Sequence, residues 1–167
     1  MGTVAKGAPP TVWIIIFTYH IRYHIICDMK IVMDTDAIVA AMRSNKGASF
    51  ALIQAAREKR VTFAASVPLC IEYESVCYRP EHRLAAELSS AEVGIFLDAV
   101  VELVEPTEIF FLWRPQLRDP GDELVLEAAI SARASAIVTF NVRDYLPAAH
   151  LFELEILTPA EAFRRIA

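Results

Sequence analysis

The chain has 167 residues, three cysteines and a formal net charge of −5. That length predicts one domain with a substantial core, and 55% hydrophobic against 22% charged residues excludes a disordered chain. The acidic balance excludes a global basic field for nucleic acid while leaving local patches open. The odd cysteine count, without framework spacing, predicts free thiols in a reducing cytoplasm.

Residues 1–28 read differently from the rest. Val12 to Cys27 is rich in Ile, Tyr and Phe and contains His20, Arg22 and His24. It is shorter than the roughly 20 apolar residues of a membrane span. Lys6 before Val12–Phe17 suits a signal peptide, but no Ala-x-Ala site follows. The composition suits a strand or hairpin at a sheet edge, and a further reading is an over-extended start before a domain beginning at Met29. The expected division is an N-terminal extension of unassigned role at 1–28 and a domain at 29–167, with no stable membrane association.

Lys30–Asp34 reads as a short buried strand and Asp36–Met42 as a helix ended by Ser44-Asn45-Lys46-Gly47. Ser49–Lys59 carries a helical apolar stripe, and Val61–Ala65 is the next strand. Ser66 is a good N-cap with Pro68 early in the helix, which runs to about Tyr78. Ser89 or Ser90 caps another helix reaching about Val100, and Glu102–Val104 is a short strand. Phe110–Arg118 is a loop, and Asp119-Pro120-Gly121-Asp122 turns into a helix reaching Ala132. Ala136–Thr139 is a strand, Asn141–Tyr145 a short turn or helix, and Glu155–Leu157 the last strand. Thr158 caps the final helix, with Pro159 at its first position and Glu161 in its first turn. Strands alternating with helices predict an α/β fold with a mainly parallel sheet.

In such sheets, sites form beyond the carboxyl ends of the strands. Asp34, Glu72, Asp122 and Asp144 all stand at the ends or starts of apolar segments, in places from which they can converge. Bare carboxylates brought together repel one another and raise each other's pKa. A hard divalent cation removes that conflict, and magnesium and manganese prefer carboxylate and water ligands. Several carboxylates holding a metal can acidify a water and stabilise charge on a phosphate oxygen. Two metals can clamp both oxygens of an in-line phosphodiester displacement. The chain has no Gly-x-Ser-x-Gly elbow, no phosphate-cradling Gly-Lys-Ser/Thr loop and no Gly-x-Gly-x-x-Gly. Its five glycines make nucleotide-cradling loops a poor reading.

Simpler roles exist for each acid. Asp34 can cap a helix with Thr35, Asp122 can be an N-cap, and Asp144 can cap the loop at Tyr145. Glu72 sits among Leu69, Cys70, Ile71 and Val76, where an unpaired carboxylate is costly. Glu74 lies about 200° around the helix from it, so only one of the two faces a given pocket. Cys70 and Cys77 share a helix face and read as core, since no zinc spacing is visible. Phe110, Phe111 and Trp113 suit core or interface packing better than base stacking. Arg43, Lys46, Arg118 and Arg143 are candidates for phosphate contacts, with a solvated surface as the alternative.

The segments Ile31-Val32-Met33-Asp34-Thr35-Asp36, Ser66 with Glu72-Tyr73, Arg118-Asp119-Pro120-Gly121-Asp122, Thr139-Phe140-Asn141-Val142-Arg143-Asp144 and Ile156-Leu157-Thr158-Pro159 occur in a telling order. In order and spacing the chain, from Met29 to Ala167, resembles the PIN-domain nucleases, particularly the VapC-like toxin branch. The resemblance implies a three-layer fold, a central parallel sheet flanked by helices. It implies an acidic quartet at Asp34, Glu72, Asp122 and Asp144, selecting Glu72 over Glu74 and Asp122 over Asp119, and one or two Mg²⁺ or Mn²⁺ ions. The implied activity is endonucleolytic cutting of RNA by the toxin of a toxin–antitoxin pair, with a small antitoxin protein as partner and a homodimer as assembly. Thr35, Thr139 and Asn141 would position water or the acids, and Asp119 is a candidate for capping the turn or for a second metal through water. Asp36 departs from the family, which usually has Asn or Ser there, and is a candidate extra ligand or simply an N-cap of the helix. A non-catalytic binding module and a DNA-acting nuclease share the same residues and stand as alternatives.

Overall fold

The computed structural model describes residues 29–167. The expected edge strand or hairpin within Val12–Cys27, with His20 and His24, lies outside the described residues. Five strands form one sheet: β1 Lys30–Met33, β2 Thr62–Ala65, β3 Val104–Pro106, β4 Ala136–Val138 and β5 Glu155–Leu157. Every pairing is parallel, and the order is β3-β2-β1-β4-β5. β1, β2 and β4 are almost wholly buried, as continuous apolar strands of a covered parallel sheet should be. β3 and β5 form the more exposed edges.

Eight helices flank the sheet among the described residues. They are α1 Thr35–Arg43, α2 Ala48–Arg57, α3 Val67–Cys77, α4 Pro80–Ala85, α5 Ser90–Glu102, α6 Pro120–Ala132, α7 Val142–Phe152 and α8 Pro159–Ile166. The arrangement is the expected three-layer α/β fold. Helix α6 packs across β1, β2 and β4, and α8 packs on α2. None of the described helices is long and apolar enough to cross a membrane.

Local chemistry explains the boundaries. Ser89 with Glu92, and Thr158 with Glu161, form reciprocal capping boxes at the starts of α5 and α8. Ser66 caps α3 through the Leu69 amide, with Pro68 in the first turn. Three expectations need correction. The short strand before Pro106 falls at Val104–Pro106 rather than Glu102–Val104, because α5 continues to Glu102; an edge strand tolerates the missing proline N–H. Pro80 does more than follow α3, since it occupies the first turn of α4. Asn141–Tyr145 is the start of a helix that reaches Phe152. Pro147 removes one hydrogen bond inside it, but burial of Tyr145, Ala148 and Ala149 holds that face against the core.

The strand order places a topological switch between β1 and β4, since the chain proceeds outward from β1 through β2 to β3 and then returns to the other side. Ligand crevices form beyond the carboxyl ends of strands at such a switch. Met33 is in register with Val138. Asp34 and Thr139, the next residues of each strand, are therefore neighbours at that crevice.

Candidate active site

Asp34 is 4% exposed and caps α1, accepting the Thr35 N–H at 2.6 Å on one carboxylate oxygen. Its other oxygen accepts the Thr139 hydroxyl at 2.7 Å. The capping role and a place in the crevice coexist. Burial raises the Asp34 pKa, opposed by hydrogen bonds from Thr139, Tyr145 and Thr35. The backbone beside it is held from below: the buried Tyr73 hydroxyl donates to the Met33 carbonyl.

Asp36 stands one α1 residue further on and ties that helix to the end of β4. Its Oδ2 accepts the Phe140 N–H at 3.0 Å and lies 3.3 Å from the Thr139 hydroxyl. Its Oδ1 is buried without a hydrogen-bond partner. Burial, followed by the Asp34 charge, pushes the Asp36 pKa up to about 6. Asp36 is not a helix cap, since Asp34 takes that position.

Asp119 caps α6 by accepting the Gly121 N–H at 2.8 Å. This leaves Asp122 free in the first turn, where Tyr145 donates its hydroxyl to Asp122 Oδ1 at 3.3 Å. Burial first, then the charges of Asp34 and Asp119, raises the Asp122 pKa to about 6, and Asp144 adds to the effect. Tyr145, buried beneath both Asp34 and Asp122, is held in its neutral hydroxyl form by desolvation and those two charges. It therefore offers a proton to the acids and does not compete as an anion.

A cleft of about 600 Å³ collects Asp34, Thr35, Asp36, Glu72, Asp119, Asp122 and Asn141. Arg43 also lines it, whereas Lys46 is exposed and not among its lining residues. Glu72, with Arg79 Nη2 4.0 Å from Oε1, faces this cleft. Glu74 lines a separate apolar groove with Cys70 and Ile71. Asp144 is exposed and lines an adjoining cavity with Arg118 and Arg143. That cavity shares Asp119, Asp122 and Asn141 with the cleft, so the two meet along the start of α6. The Asn141 N–H donates to Thr139 Oγ1 at 2.9 Å, keeping the β4–α7 turn against the acids. Among the four expected acids, Asp34, Glu72 and Asp122 share one cleft, and Asp144 stands next door.

Arg79, His82 and Tyr145 are cleft or crevice residues that the sequence reading did not single out. A signal existed for Tyr145: a tyrosine on a core-facing helix needs a partner for its hydroxyl, and the adjacent acids are candidates. The aromatic segment lies elsewhere. Phe110, Phe111 and Leu112 are exposed, while Trp113 packs edge-on to Phe152 at 5.4 Å. Cys77 is buried in the core and Cys70 partly so, both as free thiols.

The donor set suits a hard divalent cation. The orphaned Asp36 Oδ1 and the mutual repulsion felt at Asp36 and Asp122 are both relieved by positive charge. Among the described residues, no three His, Cys, Asp or Glu side chains are placed to hold an ion by themselves.

These geometries carry a pH expectation for chelator-treated protein. Asp36 and Asp122 have folded pKa values of about 6 against an ordinary value of 3.8. Between these values the folded state holds protons that the unfolded chain releases, so rising pH costs stability across that window. Below it the penalty is absent, and above it the penalty is complete. Melting of Asp36→Asn minus parent should therefore favour the variant increasingly from about pH 4 to about pH 6. A difference that is flat with pH would contradict the assigned burial.

A family model described as PIN domain matches residues 30–143, more than half of the chain. The fold and the acid-lined crevice define an α/β protein with a carboxylate site at its topological switch. The chain belongs to the PIN-domain family, whose members are in general metal-dependent nucleases. No match is found among curated proteins.

Proposed function

We propose that the chain is a divalent-metal-dependent endoribonuclease and the toxin of a toxin–antitoxin pair. The observation that carries the reading is the crevice itself. Asp34, Asp36 and Asp122 meet there from the starts of two helices, α1 and α6; Asp36 and Asp122 have pKa values near 6, and Asp36 Oδ1 has no hydrogen-bond partner within the protein. Asp34, Glu72, Asp122 and Asp144 would hold one or two Mg²⁺ or Mn²⁺ ions. When bound, the cation supplies charge neutralisation at the phosphate and acidifies a water for in-line attack. The protein's own residues orient that chemistry. Thr139 and Thr35 fix the two oxygens of Asp34, Tyr145 sets Asp122, and Asp36 locks the Phe140 turn to α1.

Single-stranded or looped RNA is the substrate class, since unstacked strands fit an open cleft. Arg118 and Arg143 line the adjoining cavity and are placed to meet phosphates entering along α6. In this reading residues 29–167 are the nuclease domain, and 1–28 is an extension to it. The protein works in the cytoplasm as a homodimer and is silenced by a small partner protein. The direct test incubates the purified chain with RNA and with DNA of matching sequence, with Mn²⁺, with Mg²⁺ and with chelator. RNA cleavage that needs metal supports the reading. Cleavage of DNA alone makes it a DNA-acting nuclease, and no cleavage with no metal binding makes it a binding module.

A further inference from the structure

The acid cleft has a second wall that the carboxylate chemistry does not use. Arg43 ends α1, Arg79 sits between α3 and α4, and His82 lies on α4; all three line the cleft. Helix α4 packs against both α1 and α3, which brings these side chains to one side. The Arg43 side chain has no hydrogen-bond or ion-pair partner among the described residues, and neither does the His82 imidazole. Arg79 meets only Glu72, at 4.0 Å, beyond hydrogen-bond reach. Along α1, Arg43 stands seven positions after Asp36, or about 10 Å of helix. That distance exceeds a metal's ligand shell and sets the basic wall beside the reacting centre.

We infer that Arg43, Arg79 and His82 form a phosphate subsite for the RNA strand, one that grips a nucleotide flanking the one being cut. The inference rests on the ribonuclease reading and adds Arg79 and His82 to the substrate-binding residues. Arg79 presents a planar fork suited to phosphate oxygens. Its loose contact with Glu72 leaves those donors available. His82 adds a ring N–H donor, and Arg43 extends the wall along α1. On the far side of the acids, Arg118 and Arg143 line the adjoining cavity. A strand crossing from one wall to the other would lay the phosphate between them over Asp34, Asp36 and Asp122.

The test measures binding of a short labelled single-stranded RNA to the full chain by fluorescence anisotropy, in chelator, over a range of salt. Arg79→Ala should reduce the slope of log K against log salt by about 0.7, the value for one phosphate contact on a single strand. Arg79→Lys should restore most of that slope, and His82→Ala should weaken binding severalfold. In Mn²⁺, Arg79→Ala should raise KM severalfold with little change in kcat, the pattern of a contact made equally in ground and transition states. The Arg79 side chain is half exposed, so its removal leaves the core intact, and circular dichroism checks this. If Arg79 serves only to prop Glu72, Arg79→Ala will lose Mn²⁺ affinity while keeping the parent salt slope, which overturns the subsite. A parent that binds and cuts RNA while the variants bind with parent slope and affinity also overturns it, leaving the ribonuclease reading standing. A parent that neither binds nor cuts RNA overturns both.

Discussion

Asp34→Asn and Asp122→Asn should each lower metal-dependent RNA cleavage on the order of 100-fold or more while leaving the chain folded. Changes to residues that merely support metal ligands already cost about 10–100-fold, and these substitutions remove a carboxylate charge itself. The fold should tolerate both. Asn is as good an N-cap as Asp, so position 34 can still accept the Thr35 N–H. The Thr139 hydroxyl can then turn its proton toward Asp36 Oδ2, 3.3 Å away, and accept from the new amide. At position 122 an amide oxygen can still accept the Tyr145 hydroxyl. Burial and neighbouring acids disfavour the charge at both positions, so the metal-free variants should melt no lower than the parent. Loss of function with equal or higher stability is the mark of a strained functional site. Parent-level cleavage by both variants would remove these acids from the site, and a large fall in melting temperature would show them to be structural.

Arg114→Ala should destabilise the fold by about 2–3 kcal/mol, below the full value for breaking a buried pair because the guanidinium is partly exposed. Glu127 lies on α6 with its side chain 2% exposed, and it accepts Arg114 Nε and Nη2 at 2.9 and 3.0 Å. Truncating Arg114 leaves that carboxylate buried without its counter-charge. One turn earlier, the buried Glu123 accepts the N–H groups of Gln116 and Leu117 at 2.5 and 2.8 Å. The two glutamates therefore anchor the segment that leads into Asp119 and Asp122. For a chain of this size the loss corresponds to roughly 5–10 °C in melting temperature. Arg114→Lys should fall between parent and Arg114→Ala, since an ammonium cannot make the paired contact. Adding Glu127→Gln to Arg114→Ala should recover part of the loss by removing the stranded charge. A change under about 0.5 kcal/mol in urea unfolding for Arg114→Ala would mean that Glu127 finds water or another partner.

Local signals made much of this legible. The apolar runs at Ile31–Met33 and Ala136–Val138 and the caps at Ser66 and Thr158 depend on near neighbours, and each marks an element close to where it is found. The PIN family itself was readable from the order of motifs. Contacts that depend on distant residues were not. Nothing in the local sequence shows that Asp36 reaches Phe140, that Glu127 meets Arg114, or that α4 swings Arg79 and His82 over the cleft. Helix α7 runs past the expected Asn141–Tyr145 because burial of Tyr145, Ala148 and Ala149 carries it through Pro147, and that burial is tertiary. The resemblance selects Asp122 over Asp119, and the placed Gly121 amide adds what the sequence does not show, that Asp119 serves as the cap of α6.

The hydrogen bond from Thr139 to Asp34 joins residues 105 positions apart. During synthesis the N-terminal acids leave the ribosome long before β4, which must lie against β1 to close the crevice. At ordinary translation rates of roughly 5–20 residues per second, that interval lasts about 5–20 s. For that time the nascent chain carries Asp34 without Thr139, so the crevice cannot close until β4 has emerged. Parallel pairing between such distant strands also makes closure of the crevice a late event in folding.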